Sequence, residues 1–294
     1  MYHVIKADRT REPFSEQKVL ASIKRARIPH HLQGEVLSNI KSKLYDGIST
    51  DEIYRHILNY LNTSSQPYTR SRYSLKESIM MLGPTGYPFE DFIAKLLENA
   101  GYQTKVRQIL SGQCITHEID VIAEKDGKTA MIEAKFHNNP GTRSEVQTAL
   151  YIQARFEDVR IRNKIDEAWL VTNTKTTIDA TTYAQCAGLK VISWDYPQGE
   201  GLRDMVEKSG LHPVTLLTSL SNSQKMTLLE NHVTLCREIK KNPGVLDMLY
   251  LTKLDRQKTL TEVDFICHEE GISNPPHPSF SSNPSEIAPD SNTP

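Results

Sequence analysis

The middle of the chain alternates short apolar runs with amphipathic helical patterns. Runs rich in β-branched and apolar residues predict three successive strands, at 103–110, 114–124 and 129–136. Lys125-Asp126-Gly127-Lys128 separates the last two runs, and Asp-Gly between such runs is a strong hairpin signal. Helical spacing predicts helices at 89–99, 144–163 and 178–187, and two further apolar runs predict buried parallel strands at 167–173 and 190–194. We therefore expect an α/β fold with a central mixed β-sheet flanked by helices.

The two ends of the chain have mostly helical patterns. A strand at 2–6 precedes helices expected at 15–26, 31–44 and 50–61, for which Ser15 and Thr50 are the predicted N-caps. From residue 201 the chain is expected to be helical again, with helices at 223–229, 232–240, 245–251 and 260–267. Beyond residue 271 the composition of Asn, Pro and Ser predicts disorder. We therefore divide the chain into an N-terminal domain (1–82), a central domain (83–209), a helical appendage (210–271) and a disordered tail (272–294).

Composition and charge narrow the class of protein. The chain has 294 residues, enough for two or three domains, and its formal net charge of -1 gives no overall attraction to nucleic acid. The charge is uneven, since residues 1–82 hold 13 Lys and Arg against 8 Asp and Glu. Without a long apolar run or a signal-peptide pattern, we expect a cytoplasmic protein that does not enter a membrane. The widely spaced cysteines, Cys114, Cys186, Cys236 and Cys267, predict reduced thiols within cores.

Charged residues interrupt the apolar hairpin. Asp120 lies between Ile119 and Val121, and Glu133 and Lys135 project from one face of the next strand because side chains alternate along a strand. Charges in such a place are costly unless they are paired or bind a metal ion. A buried ion pair at Asp120, or an exposed pair of Glu133 and Lys135, would also explain the pattern. We favour a metal site because the hairpin brings both carboxylates to adjoining strands.

Ile119-Asp120 followed by Glu133-Ala134-Lys135 resembles the PD-(D/E)xK nuclease superfamily. Glu90, in the first turn of the helix expected at 89–99, matches an acidic residue of that fold. Gln147 and Tyr151, four residues apart on the long helix, are similar to the QxxxY of the Mrr-type restriction endonucleases. The resemblance implies a DNA endonuclease, acting in restriction or defence, that hydrolyses phosphodiester bonds with Mg²⁺ held by Asp120 and Glu133. Its catalytic residues would be Glu90, Asp120, Glu133, Lys135, Gln147 and Tyr151.

Several of these residues have a purely structural explanation as well. A glutamate such as Glu90 in the first turn of a helix is also stabilising simply because its negative charge interacts favourably with the helix dipole. Gln147 and Tyr151 are also ordinary helix positions. The basic residues of the long helix could meet a phosphate backbone, but we favour a solvated helix face for them: Arg155, Arg160, Arg162 and Lys164. His117 and His137 lie near the site but are expected to be surface residues or neighbours of ligands.

The N-terminal domain resembles the ATP-cone, the nucleotide-sensing module of ribonucleotide reductases. The matching stretches are Val4-Ile5-Lys6, Arg11-Glu12-Pro13-Phe14 with Lys18, residues 44–53, and Tyr73-Ser74-Leu75-Lys76. The resemblance implies that ATP or dATP binds to Val4, Lys6, Glu12, Lys18, Thr50 and Lys76. The family usually has Lys-Arg-Asp-Gly where this chain has Lys6-Ala7-Asp8-Arg9, so one cation and a turn glycine are missing. A degenerate cone, kept for dimerisation or DNA contact, is the alternative.

Three functions therefore compete. The first is a metal-dependent DNA endonuclease regulated by an adenine nucleotide at the cone. The second is a non-catalytic, nucleotide-responsive regulator that binds nucleic acid, and the third is a binding module whose cone only drives oligomerisation. The complete set of Asp, ExK and QxxxY favours the first. We expect a homo-oligomer, because cutting both DNA strands needs two active sites, and a short linker at 83–88 through which the cone gates the nuclease.

Overall fold

A computed structural model describes residues 2–26, 28–63 and 69–267 of the chain. The expected disordered tail at 272–294 lies outside these residues. Within them, no helix is both long enough and apolar enough for a membrane span. The prediction that all four thiols lie in cores is wrong, since Cys114 and Cys186 are exposed and only Cys236 is buried.

The N-terminal segment (residues 2–82) folds as a small sheet covered by helices. Its elements are β1 (His3–Ile5), β2 (Arg11–Pro13), α1 (Glu16–Arg25), α2 (His30–Lys41), β3 (Ile48–Ser49), α3 (Thr50–Asn62), α4 (Thr69–Tyr73) and α5 (Leu75–Met80). Strand β1 lies between an antiparallel β2 and a parallel β3. The apolar faces of the first three helices meet in one core around Val4, Ile23, Val36 and Ile57.

Two helix starts test the capping predictions. Ser15 caps α1, because its hydroxyl accepts the N–H of Lys18 at 3.3 Å. Helix α3 is capped by Ser49, whose hydroxyl accepts the N–H of Glu52 at 3.0 Å. The prediction of Thr50 as the cap is therefore wrong by one residue, and Thr50 is the first helical residue instead.

The central segment forms the expected α/β unit. Its elements are α6 (Tyr87–Asn99), β4 (Gln103–Ser111), β5 (Thr116–Lys125), β6 (Lys128–Lys135), β7 (Arg143–Ser144), α7 (Val146–Asn163), β8 (Glu167–Thr172), β9 (Lys175–Thr176), α8 (Ile178–Ala187) and β10 (Lys190–Ile192). The main sheet has the order β10-β8-β6-β5-β4, with antiparallel pairing from β4 to β6 and parallel pairing beyond. Asp126 and Gly127 both have positive φ, as a tight hairpin turn requires.

Two apolar cores cover the faces of this sheet. Helix α6 packs through Phe89 and Phe92 onto one face. Helices α7 and α8 pack through Ile152 and Ala184 onto the other. The sheet is therefore buried on both sides, which is why its strands have near-continuous apolar runs.

The C-terminal segment is helical, as expected, with two differences in detail. It contains α9 (Leu202–Ser209), α10 (Asn222–Glu230), α11 (Cys236–Lys241) and α12 (Lys253–Ile266), with 3₁₀ turns at Val214–Leu216 and Pro243–Leu249. The helix expected at 245–251 is the 3₁₀ turn at Pro243–Leu249, and the last helix begins at Lys253 rather than at residue 260. These helices share one core with α5 and α6, which contains Leu75, Phe92, Val206 and Val263. The C-terminal segment thus holds the N-terminal and central segments together.

A buried carboxylate strengthens this junction. Glu262 of α12 is fully buried and accepts hydrogen bonds from the Ser71 hydroxyl (2.7 Å), from the N–H and hydroxyl of Thr218 (both 2.8 Å) and from the Ser219 N–H (2.9 Å). Ser71 belongs to α4 and is itself fully buried. The pairing is required because a buried polar group without a partner is strongly destabilising.

We predict that Glu262→Ala lowers the free energy of unfolding by about 3 kcal/mol or more, since it leaves several buried donors unpaired. Urea denaturation followed by circular dichroism measures the change. Asp264→Ala is the matched control on the same helix, because Asp264 is 62% exposed and pairs with Lys240 at 3.5 Å. We expect the control to change stability by less than about 1 kcal/mol. Equal effects of the two substitutions would contradict the structural role of Glu262.

Candidate active site

Asp120 and Glu133 lie where two neighbouring strands separate. The pairing of β5 with β6 runs from the hairpin turn as far as Val121 with Ile132 and stops there. The next residues along the two strands are Asp120 and Glu133. Instead of a strand ladder, the Asp120 carboxylate accepts the N–H of Ala134 at 2.8 Å. The local opening of the sheet thus exposes a backbone donor and fixes one carboxylate oxygen.

The other side of Asp120 is also distorted. Pairing of β4 with β5 includes Val106 with Val121 and Gln108 with Ile119, so Arg107 lies opposite Asp120. Arg107 has a left-handed backbone with φ 51°, which is uncommon for a residue other than glycine and marks local strain. Ile119 and Val121, although two residues apart, pack into opposite cores. The side-chain alternation of β5 therefore breaks at Asp120.

Crowding of acidic groups shapes the electrostatics here. Burial raises the pKa of Asp120. Burial, followed by the nearby charge of Asp120, raises the pKa of Glu133. Burial and the same Asp120 charge raise the pKa of Glu90 to about 7. All three shifts therefore come first from burial, and the charge of Asp120 adds to the shifts of Glu133 and Glu90.

Arg155 of α7 places a positive charge beside Glu133. Its guanidinium donates to Glu133 at 2.5 Å, to the carbonyl of Glu118 at 3.1 Å and to the Tyr151 hydroxyl at 2.5 Å. The side chains of Arg155 and Glu133 are 12% and 17% exposed. The expectation that Arg155 belongs to a solvated helix face is therefore wrong. The spacing of Gln147, Tyr151 and Arg155, at four-residue intervals, would have identified it.

Glu90 occupies the first turn of α6, as expected, and is buried. Arg107 bridges it to its neighbour, with 3.2 Å to Glu90 and 2.8 Å to Asp91. Asp91 in turn lies 2.9 Å from the imidazole of His232 in the C-terminal segment. Neither Arg107 nor Asp91 was singled out from the sequence, because only the fold places Arg107 opposite Asp120 and beside the start of α6.

The remaining expected site residues lie at the edge of this cluster. Lys135 is exposed at the end of β6, and its charge opposes the rise in the pKa values of Asp120 and Glu133. Tyr151 is 56% exposed and is joined to Glu133 through Arg155. Gln147 is exposed one turn before Tyr151 on α7. The structure thus brings Glu90, Asp120, Glu133 and Tyr151 into one connected group, with Lys135 beside it.

The acidic pair suits a hard divalent cation. Asp120 uses one oxygen for Ala134, and its other oxygen accepts no hydrogen bond from the described residues. Carboxylate oxygens are ligands that Mg²⁺ prefers, and Mg²⁺ usually keeps several waters in addition. No group of three or more His, Cys, Asp or Glu side chains arranged for a metal ion occurs among the described residues. A cation here would be held by Asp120 and Glu133, and water or substrate would add further ligands.

Histidines close to the site have structural partners. His117 lies 2.8 Å from Asp158 of α7, which also accepts the N–H of Cys114 at 2.7 Å. His137 lies 2.8 Å from the Ser144 hydroxyl. The contacts of Asp158 hold α7 against the β4–β5 hairpin. The contact of His137 with Ser144 joins the two ends of the segment that follows Lys135.

Most of the expected nucleotide contacts cluster in the N-terminal segment. Glu12 lies between two lysines, at 2.8 Å from Lys6 and 3.0 Å from Lys18. Val4 pairs with Glu12 across the two strands and is buried. Thr50 begins α3, which follows the strand paired with β1. Arg9 adopts φ 66°, so the turn forms without the glycine that the family usually has.

Lys76 lies apart from that cluster. Its amine donates to the backbone carbonyl of Asn173 and lies 4.1 Å from the centre of the Trp194 ring, both in the central segment. Burial lowers the pKa of this amine to about 7. Lys76 therefore connects two segments rather than joining Lys6 and Lys18.

Comparison with known proteins agrees with this architecture. Three family models match the chain: an ATP cone domain at residues 2–78, a restriction endonuclease at 83–200, and an AF1548-like C-terminal domain at 212–267. A protein of Archaeoglobus fulgidus, described as uncharacterized, is 40% identical over 147 residues, which cover 50% of this chain and 83% of that protein. The crystal structure of a protein of unknown function, AF1548, is 34% identical with a TM-score of 0.55, covering 62% of this chain and 98% of the other.

We predict that Lys76→Met changes how stability depends on pH. The amine has a lower pKa in the folded chain than in the unfolded chain, so the unfolded chain binds more protons between about pH 7 and pH 10.5. The stability of the wild type should therefore rise over this window relative to the variant. Melting temperatures at pH 7 and pH 9 measure the difference.

Lys43→Met serves as the control, because Lys43 is exposed and folding leaves its amine in water. Its effect on the melting temperature should be the same at both pH values. A Lys76→Met effect that is equally independent of pH would contradict the burial of a neutral amine.

Proposed function

Because the chain belongs to the AF1548-like family and combines an ATP cone with a restriction endonuclease domain, we propose that it is a metal-dependent DNA endonuclease controlled by ATP or dATP. The observation that carries the proposal is the meeting of Asp120 and Glu133 at the separation of β5 and β6, with Lys135 on the same strand as Glu133. Such an enzyme would act in the restriction of foreign DNA.

The residues of the site suggest a division of roles. Asp120 and Glu133 would hold Mg²⁺, which when bound polarises the scissile phosphate. Lys135 would position the attacking water and stabilise the negative charge that develops on the phosphate, for which a compact ammonium charge is suited. Glu90 would orient this arrangement through Arg107. Tyr151 and Gln147 would face the nucleic-acid backbone, since both are exposed on the same side of α7.

One observation favours a second candidate, the non-catalytic regulator that binds nucleic acid. Arg155 already neutralises Glu133, as a cation would. A chain that never binds a metal ion could use such a pair permanently. The two functions differ in a simple respect, because only the endonuclease cleaves DNA when Mg²⁺ is supplied.

We predict that Asp120→Asn and Lys135→Met each reduce cleavage of plasmid DNA at least a hundredfold, while the protein stays folded. Asp120→Asn would weaken the binding of Mg²⁺, and Lys135→Met would remove the positive charge that stabilises the reacting phosphate. Conversion of supercoiled plasmid, with Mg²⁺ or EDTA, measures the rate. Lys128→Met is the matched control, because Lys128 begins the same strand but pairs with Glu167 at 3.8 Å.

The control should cleave at the wild-type rate. If the wild type bound DNA without cutting it in Mg²⁺, the regulator would be the better account. If a folded Asp120→Asn protein cleaved normally, Asp120 would not belong to the site.

A nucleotide bound to the N-terminal segment would control cleavage through the β6–α7 segment (residues 136–145). This segment links Lys135 to the helix that carries Gln147. The turn of the N-terminal sheet contacts this segment, since Asp8 forms an ion pair with Arg143. A Cβ on Gly141 would lie only 2.7 Å from the carbonyl oxygen of Ala7, so the two backbones approach closely. The turn at residues 6–9, where the sequence differs from the usual ATP-cone pattern, is therefore in contact with the central segment.

The other end of the N-terminal segment reaches the same region. Lys76 donates to the Asn173 carbonyl, and the Asn173 side chain exchanges hydrogen bonds of 2.8 and 2.9 Å with the backbone of His137. The linker adds a third contact, because Gly83 lies against the Phe136 ring. A nucleotide that moved Lys6 or the turn beside it would thus act on residues one to eight positions after Lys135.

We predict that ATP and dATP change the oligomeric state and the cleavage rate over the same concentration range, because coupling between binding sites is reciprocal. A dimer would supply the two active sites that a double-strand cut requires. Light scattering and cleavage, measured on one sample during a nucleotide titration, test this. Lys6→Ala and Lys18→Ala should weaken nucleotide binding, and the exposed Lys43→Ala should not.

Arg143→Ala separates binding from coupling. This variant should bind nucleotide as the wild type does, by calorimetry, while its cleavage rate responds less. Nucleotide binding that leaves both assembly and cleavage unchanged in the wild type would sink the regulatory proposal and leave the nuclease proposal standing.

A further inference from the structure

The guanidinium of Arg155 makes contacts, and has hydrogen-bond donors, beyond those used in its ion pair with Glu133. Its side chain is 12% exposed, and its ring of contacts consists of Glu133, the Glu118 carbonyl and Tyr151. The guanidinium also lies 4.6 Å from the centre of the Tyr151 ring. A long basic side chain is thus held rigidly between the acidic pair and an exposed tyrosine.

The hydrogen bonds of Arg155 leave donors unused. A guanidinium carries five N–H hydrogens. Nη1 donates twice, to Glu133 and Glu118, and Nη2 donates once, to Tyr151. Nε is buried and has no acceptor among the described residues. Nε and Nη2 form one edge of the group, the arrangement with which arginine binds a phosphate through two parallel hydrogen bonds.

Tyr151 marks the side from which a ligand would approach. It is 56% exposed, and Gln147 is exposed one turn further along the same face. An anion that reached Arg155 from this side would meet the tyrosine hydroxyl on the way. Glu133 contacts Nη1 and so leaves the edge formed by Nε and Nη2 to other acceptors.

We propose that Arg155 binds a backbone phosphate of the nucleic acid and that Glu133 restrains it while the acidic pair holds no cation. This inference rests on the proposed function and adds a residue to the substrate-binding site. Glu133 would lose part of its attraction for the guanidinium if its carboxylate held a divalent cation, because the cation would neutralise its charge. Arg155 then satisfies its unused donors on the phosphate, so that cation and DNA strengthen each other's binding.

DNA binding by fluorescence anisotropy, with a labelled duplex at several salt concentrations, tests the proposal. Each phosphate contact adds about 0.9 to the slope of log affinity against log salt concentration. In Ca²⁺, Arg155→Gln should therefore lower the slope by about 0.9 and weaken binding about tenfold. In EDTA the substitution should have little effect, because Glu133 restrains the arginine there. Arg160→Gln, on the same helix and paired with Glu157 at 3.2 Å, should leave the slope unchanged in Ca²⁺.

A second pair of variants needs no cation. Glu133→Gln releases Arg155, so its slope in EDTA should be steeper than that of the wild type by about 0.9. Adding Arg155→Gln to Glu133→Gln should remove this gain. The double variant also lacks the unpaired buried charge that either single change creates, so it keeps the test decisive if Arg155→Gln alone does not fold.

The outcomes distinguish the role proposed for Arg155 from the proposal that the protein is a nuclease. Wild-type binding in Ca²⁺ with the same slope for Arg155→Gln, or no loss of slope in the double variant, would overturn the role of Arg155 and leave the nuclease proposal intact. Failure of the wild type to bind DNA in both Ca²⁺ and EDTA would overturn both.

Discussion

Placing two carboxylates between paired strands is the constraint on which the arrangement of this site depends. Asp120 and Glu133 are next to each other at the point where the β5–β6 ladder ends, and burial raises the pKa of each. Their mutual repulsion must be compensated by a cation, by protons or by an arginine. Arg155 pairs with Glu133, and Arg107 neutralises the acidic start of α6. The positions of Arg107 and Arg155 are therefore explained by the acidic residues with which they pair.

The same constraint explains why the surrounding segments are so closely joined. The β6–α7 segment leaves the site directly after Lys135 and is contacted by Asp8, Gly83 and, through Asn173, by Lys76. The C-terminal segment contacts the start of α6 through His232. A fixed acidic pair needs rigid surroundings, and these contacts also connect it to distant parts of the chain. Regulation and catalysis would then share one set of contacts.

Local patterns were sufficient for most of the fold. Apolar runs and the Asp126-Gly127 turn predicted the central sheet, and the spacing from Asp120 to Glu133 predicted their meeting, because a hairpin aligns residues by sequence distance alone. Ser49 rather than Thr50 caps α3, since either residue type can accept the N–H and only the backbone conformation decides. The pairing of Asp8 with Arg143 joins residues far apart in the sequence, and no local pattern reports such contacts. Arg155 was misjudged because charge alone does not say which face of a helix is buried.

A crystal of the protein soaked in Mn²⁺ tests the central claim most directly, because anomalous scattering locates the ion without any assumption about activity. The account predicts one ion about 2.0–2.6 Å from carboxylate oxygens of both Asp120 and Glu133, as oxygen-bound divalent cations require. It also predicts that the Arg155 guanidinium moves away from Glu133. An empty acidic pair at saturating Mn²⁺, with the ion pair of Glu133 and Arg155 intact, would contradict it.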